Sequence, residues 1–322
     1  MILVTGAAGF IGSHVAAALL NRGDGVIGID NLNGYYDVTL KEARLARLMR
    51  QDGFLFRKLD VSDREAILAL AAEFPEISGI VHLAAQAGVR HSLVDPYVYV
   101  QTNVMGQVVM IELAKQLKQL KHFVYASSSS VYGGNKTLPF SVDDRVEMPN
   151  SLYAATKRAD ELIGYTYAHL WRIPATGLRF FTVYGPWGRP DMAAFLFTRA
   201  ILNGEPIRVF NHGEMWRDFT YIDDIVDGVL RALDRPPQNS PPHALYNLGN
   251  HKSEKLTDFI GVIEESLGTK AKLQMEPMQP GDVPATYANI EASRQELGFE
   301  PTTPISVGIP RFIAWYRDYF GA

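Results

Sequence analysis

The chain contains no cysteine, which excludes disulfides, thiolate catalysis and a cysteine-bound zinc. It has no run of about 18 consecutive apolar residues, the length that a membrane-spanning helix needs. It also lacks an excess of positive charge: 31 lysines and arginines stand against 35 aspartates and glutamates, a formal net charge of −4. Without a basic cluster, no nucleic-acid surface is expected. The most basic short stretch is Lys41, Arg44, Arg47 and Arg50, whose spacing of three reads as a solvated helix face. The eight histidines show no metal-ligand spacing, and His82 in its apolar run reads as a core residue. There is no internal repeat or low-complexity tract, and 235–242 is the one proline-rich loop. At 322 residues, 47% of them hydrophobic, the chain suits two packed domains.

What is present begins at once. Ile2-Leu3-Val4-Thr5 reads as a strand, Gly6-Ala7-Ala8-Gly9-Phe10-Ile11-Gly12 as a tight turn opening a helix, and Val26-Ile27-Gly28-Ile29-Asp30 as a second strand. Glycines allow backbone N–H groups to approach a pyrophosphate, which then rests on the positive N-terminal end of the helix starting near Gly9. Asp30 lies 18 residues past Gly12, where a dinucleotide fold places the carboxylate that accepts from the adenosine ribose hydroxyl. A 2′-phosphate there would be repelled, so NAD is expected over NADP. A cofactor strand starting at Ile2 leaves no place for a signal peptide, and the expected compartment is the cytoplasm. The G-x-x-G-x-x-G spacing resembles the extended branch of the short-chain dehydrogenase/reductase superfamily.

Strand and helix then alternate. Asn31 to Asp37 reads as a loop over the adenosine, Thr39 opens a helix, and Lys41 is near enough to touch the cofactor. A third strand ends in Asp60-Val61, with Asp60 facing the adenine amino group or serving as a turn carboxylate. Ser62 and Glu65 form a capping-box pattern. After the strand containing His82, the segment Leu83-Ala84-Ala85-Gln86 lets a ligand lie close to backbone at a strand's carboxyl end. A long helical pattern over 96–120 carries Asn103. Strands at 121–127 and 175–181 enclose a helix at 151–171. The alternation implies an α/β, Rossmann-type doubly wound parallel sheet. Past Gly185 the elements shorten: a strand at 207–210, helices at 221–233 and 257–267, and short strands at 245–248 and 272–275. The expected division is 1–180 for cofactor and 181–322 for a smaller α/β substrate domain interleaved with it.

The second decisive stretch is Tyr153-Ala154-Ala155-Thr156-Lys157. Tyrosine and lysine four apart share a helix face, so an ammonium is available to lower the phenol's pKa from about 10. The strand before that helix ends in Ser127-Ser128-Ser129-Ser130-Val131-Tyr132-Gly133, supplying hydroxyls beside the cofactor crevice.

Together with 179–186 (Arg-Phe-Phe-Thr-Val-Tyr-Gly-Pro) and 217–224 (Arg-Asp-Phe-Thr-Tyr-Ile-Asp-Asp), these motifs resemble the nucleotide-sugar epimerase/dehydratase family along the whole chain, the UDP-glucuronate 4-epimerases above all. The resemblance implies that Tyr153 removes the C4-hydroxyl proton while hydride passes to NAD. Ser128 hydrogen-bonds the same oxygen, and Lys157 holds the nicotinamide ribose. The 4-keto sugar turns over and takes the hydride back on its other face, giving UDP-galacturonate from UDP-glucuronate. It further implies Ser127 and Asn103 near the cofactor; Gln86, Ser129 and Thr182 at the sugar; Arg189 on the uronate carboxylate; Arg217 on the diphosphate; and Phe210 and Asn211 at the uridine. The family's dehydratases carry Thr-Asp-Glu before Val-Tyr-Gly, and its decarboxylases a glutamate where Ser130 stands. Serines at 128–130 therefore count against both. The alternatives are another UDP-sugar 4-epimerase, a decarboxylase, or a non-catalytic dinucleotide sensor. Family members pair two long helices in a homodimer, for which Val104, Val108, Ile111 and Leu162 are the candidate contacts.

Overall fold

The computed structural model describes residues 1–279 and 282–322. The chain runs β1 (Ile2–Thr5), α1 (Phe10–Asn21), β2 (Val26–Asp30), α2 (Val38–Leu48), β3 (Phe54–Lys58), α3 (Arg64–Glu73) and β4 (Gly79–His82). It continues through α4 (Pro96–Tyr99), a π-helical stretch (Val100–Met105), α5 (Gly106–Gln116), β5 (His122–Ser128), α6 (Leu152–Trp171) and β6 (Ala175–Phe180). Then come β7 (Thr182–Tyr184), α7 (Ala193–Leu202), β8 (Pro206–Val209), β9 (Trp216–Arg217), β10 (Phe219–Tyr221) and α8 (Ile222–Leu233). β11 (His243–Leu248), β12 (Glu254–Lys255), α9 (Leu256–Leu267), β13 (Lys272–Met275) and α10 (Ile305–Phe320) complete it.

The main sheet has seven strands in the order β11-β6-β5-β4-β1-β2-β3, all parallel. Alternating side chains feed two apolar layers: Val4, Val15, Leu19, Val124 and Val229 on one face, and Leu3, Ile27, Ile80, Phe123 and Leu113 on the other. Burying each such side chain contributes roughly 1.5–3 kcal/mol. Strand order reverses between β1 and β4, and the crevice outside their carboxyl ends is where open α/β sheets take ligands. Past β6, β7 pairs with β10, β8 with β13 and β9 with β12. β11, far beyond residue 181, returns as the edge strand beside β6, and α8 packs on α1.

Several sequence expectations need correction. The 96–120 helix ends at Gln116 and changes to π geometry around Asn103. The cap of α3 is Asp63, which accepts from Ala66 N, because the Ser62 hydroxyl and N–H both donate to Asp60 Oδ1 instead. Half of the basic stripe is not a solvated face: Lys41 and Arg44 are 6% and 0% exposed, whereas Arg47 and Arg50 are exposed. The partners of Lys41 and Arg44 lie on other segments, which periodicity within one helix does not report. Ile111 is fully buried in the core, so it offers no surface to a second copy.

Candidate active site

Glycine is required in the first turn by close backbone approach. Gly6 has φ +69°, and a Cβ there would stand 2.9 Å from Ala84 N; at Gly12 it would stand 2.0 Å from Gly6 O. Gly9 precedes α1 with no side-chain cap, and the first turn from Phe10 and Ile11 holds no acid. Its N–H groups are therefore free to meet an anion. At the end of β2, Asp30 is 8% exposed and accepts from Ala8 N (3.1 Å) and Leu32 N (2.8 Å). This bare turn with a fixed acid beside it fits a dinucleotide with a free ribose diol.

The loop after β2 is tied down by the residues expected at the adenosine. Lys41 Nζ donates to Asn33 O (2.9 Å) and Oδ1 (2.7 Å), and Asn31 Nδ2 to Asp60 Oδ2 (2.8 Å). Burial works to raise the Asp60 carboxyl, but hydrogen bonds from Ser62 and Asn31 outweigh it and hold it below the usual range. Asp60 thus braces its own turn and orients Asn31, while Val61 beside it is buried. After β4, Ala84 N donates to Thr5 Oγ1 (3.0 Å), which bonds His82 Nδ1 (2.7 Å). Burial, then Lys157, pushes His82 down to about 3, so it is a neutral core histidine. Asn103 clamps Gln86 through N and O (2.8 and 3.1 Å) and donates to Thr156 Oγ1 (2.9 Å). The Gln86 Nε2 stays buried without a partner among the described residues. An orphaned buried amide of this kind suits a ligand acceptor. Leu83 and Ala85 flank this segment and are only half-buried.

The catalytic candidates lie on β5 and α6. Ser151 caps α6 by accepting from Ala154 N (3.1 Å), and Tyr153 and Lys157 follow one turn apart. Lys157, 4% exposed, donates to Ala126 O (2.9 Å) and Asp160 Oδ2 (3.0 Å). Ser128 closes β5, its Oγ accepting from Ser130 N (3.2 Å), and Ser129 opens the turn that follows. The Ser127 hydroxyl donates to Glu161 Oε1 (2.6 Å), so toward a cofactor its side chain can only accept. Tyr99, missed in the sequence, meets Tyr153 edge-on with ring centroids 6.1 Å apart. Its signal was the unusual aromatic density at 97–99.

On the opposite side, Arg189 donates through Nε and Nη2 to the two oxygens of Asp191 (3.0 and 2.5 Å). Burial opposes its charge, but Asp191, followed by Tyr35 and Tyr153, outweighs burial and raises its pKa. The Tyr35 ring meets His91 and His91 meets Tyr99 (centroids 4.9 and 6.0 Å), a run of contacts that leads to Tyr153. Thr182, half-buried, donates its N–H to Asp218 O (3.1 Å). Further out, Phe210 lies between the guanidinium groups of Arg90 and Arg208, each 5.0 Å from its ring centre. Arg217 donates to Asp282 Oδ1 (2.9 Å), and Arg90 reaches the other oxygen at 3.5 Å. Arg90 carried no motif of its own in the sequence. Asn211, at φ +50°, spends its amide on Glu214 O (2.7 Å), which leaves its carbonyl oxygen for a ligand.

A parallel doubly wound sheet with a glycine turn at its switch point and a Ser–Tyr–Lys set on the adjoining strand and helix defines an extended short-chain dehydrogenase/reductase. The model of the NAD dependent epimerase/dehydratase family matches residues 2–249, and the chain belongs to that family. It is 48% identical to UDP-glucuronate 4-epimerase 3 of Arabidopsis thaliana, covering 99% of this chain and 77% of that protein. It is 46% identical to a probable UDP-glucuronate 4-epimerase of Rhizobium meliloti, over 99% and 97% of the two chains. The crystal structure of UDP-glucuronic acid 4-epimerase from Bacillus cereus, in complex with UDP-glucuronic acid and NAD, superposes with a TM-score of 0.91 at 35% identity, covering 99% of each chain.

Proposed function

We propose that this protein is an NAD-dependent nucleotide-sugar 4-epimerase that interconverts UDP-glucuronate and UDP-galacturonate. The observation that supports the reading is the run of contacts from Tyr153 through Tyr99, His91 and Tyr35 to the Asp191–Arg189 pair, which joins a candidate proton acceptor to a cation suited to a uronate. NAD, when bound, accepts hydride from C4 and returns it. Gly6, Gly9, Gly12 and Asp30 would hold it, with Asn103 and the 83–85 backbone lining the crevice. Tyr153 takes the C4-hydroxyl proton, and Ser128 donates to or accepts from the same oxygen. Lys157, one turn after Tyr153 on α6, would hold the nicotinamide ribose. Arg217 and Arg90 would meet the diphosphate, with Phe210 and Asn211 at the uracil. Gln86, Ser129 and Thr182 would position the sugar. The 4-keto uronate is a β-keto acid, and a charge-assisted contact from Arg189 keeps its carboxylate in a poor geometry for leaving.

We further infer a cofactor unit over 1–180 and a substrate unit over 181–322, interleaved through β11 and α8. A homodimer is inferred from exposed apolar side chains on α4, the π-helical stretch and α6: Tyr97, Val100, Leu162 and Tyr165 are 84%, 49%, 53% and 50% exposed. Among the described residues no helix is long and apolar enough to cross a membrane, and the inferred compartment is the cytoplasm.

The test is chromatography and mass spectrometry of products from UDP-glucuronate without added reductant. A new peak of unchanged mass is expected. Loss of carbon dioxide would identify a decarboxylase, and turnover of UDP-glucose alone would overturn the uronate reading. Tyr153→Phe should lower kcat by roughly 10²–10⁴-fold with the fold intact. Arg189→Ala should release a decarboxylated product.

A further inference from the structure

Arg44 is fully buried, yet its hydrogen-bond partners include no carboxylate. It donates from Nε and Nη2 to Trp187 O (3.0 and 2.6 Å), from Nη2 to Gly188 O (3.0 Å), and from Nη1 to Ala8 O (3.2 Å) and Tyr36 Oη (2.7 Å). A buried cation is expensive unless its donors are all met, and here they are met by the Tyr36 phenol and by backbone carbonyls from two separate segments. One is the glycine turn at Ala8. The other is 187–188, directly before Arg189.

That second segment is strained. Trp187 has φ +63°, a region that bulky side chains avoid and that persists only where the surroundings over-determine it. Arg44 holds its carbonyl, while the Arg47 guanidinium lies 4.6 Å from the centre of its ring. Trp315 and Tyr319 pack on the same ring, with centroids 5.3 and 5.0 Å away. Beyond it, Tyr35 donates to Asp191 Oδ2 (3.3 Å), so the loop after β2 touches the partner of Arg189 as well.

We propose that Arg44 is a positioning residue for substrate recognition: it fastens the segment bearing Arg189 to the cofactor turn and so fixes where a uronate carboxylate binds. This rests on the reading of Arg189 as the uronate contact. Arg44 touches no substrate; it acts through the Trp187 and Gly188 carbonyls. The consequence is a split between sugar and nucleotide. The Phe210 and Arg217 end has no contact with Arg44, so binding of UDP itself is indifferent to it.

The experiment uses the holoenzyme at saturating NAD. Arg44→Met should raise KM for UDP-glucuronate about tenfold or more, with kcat changed less than about threefold and the Kd of UDP by calorimetry unchanged. Arg44→Lys, which restores the charge and some of the donors, should recover part of the loss. Equal weakening of UDP and UDP-glucuronate would overturn the proposal, as would an unchanged KM. Arg189→Gln in the same assay separates the two readings. If Arg189→Gln leaves KM unchanged, the uronate contact itself is wrong; if it raises KM and Arg44→Met does not, only the role of Arg44 falls. Should both Arg44 variants fail to fold, Tyr36→Phe removes one acceptor from the guanidinium. A rise in KM of about twofold to fourfold then supports the proposal, and no rise overturns it.

Discussion

Arg179 and Arg44 are both buried to the last percent of their surface, and the molecule satisfies them in opposite ways. Arg179, on β6, forms a bidentate pair with Glu161 of α6 (2.8 and 3.0 Å) and donates to Tyr132 Oη (3.0 Å). Glu161 also accepts from Ser127 of β5 and from Arg158. One carboxylate therefore locks the strand ending in Ser128 to the helix carrying Tyr153 and Lys157. Arg44 has only carbonyls and a phenol, gathered from loops. The side of the site bearing Tyr153 and Lys157 is thus a self-contained block, whereas the side bearing Arg189 is stitched from segments whose arrangement depends on one another. Rigid placement suits a proton acceptor, for which small displacements are costly in rate.

The largest way to break this contrast is Glu161→Gln. Removing one partner of a buried pair leaves an uncompensated charge, and a loss of about 3–5 kcal/mol is expected, read by chemical denaturation. A loss under about 1 kcal/mol would mean that the block does not depend on the pair. Next in size is Asp160→Asn. Burial outweighs the attraction of Lys157 and pushes the Asp160 carboxyl up to about 6, above its value of about 3.9 in an unfolded chain. The folded state therefore binds the extra proton between these values. This group's favourable contribution is complete below about pH 4 and is lost as pH rises through 6. The asparagine variant carries no such titration. Its stability relative to the parent should rise by about 1–3 kcal/mol from pH 4 to pH 7, and a gap independent of pH would refute the assignment. The smallest effect should come from Asp234→Asn. This removes an exposed pair with Arg22 (2.7 Å, side chains 51% and 36% exposed), and a change below about 1 kcal/mol that shrinks further in salt is expected. A larger value would erase the distinction between buried and exposed cations.

Much of the site was legible because its logic is local. The glycine turn, the acid ending β2 and the Tyr153–Lys157 spacing are each set within one or two adjacent elements, where geometry follows from sequence separation. The capping of α3 was misread by one residue because Asp60 competes for Ser62. Lys41 and Arg44 were misread because periodicity reports a face and not what covers it. Arg90 and Tyr99 went unassigned because each gains its meaning from a partner elsewhere: Arg90 from Phe210 and Asp282, Tyr99 from Tyr153. The commitment of Ser127 to Glu161 likewise spans two elements.

The sequence alone determined the alternation of strand and helix, the glycine turn and the spacing of the candidate Tyr153–Lys157 pair, since short spacings and apolar runs encode them directly. Only the tertiary structure decided that β11 borders the main sheet, that Lys41 and Arg44 of a basic stripe are interior fastenings, and that the loop after β2 reaches the Asp191 partner of Arg189. Those facts depend on contacts between segments distant in the chain, such as the 143 positions separating Arg44 from Trp187, and such contacts form only when burial makes each unmet donor find an acceptor.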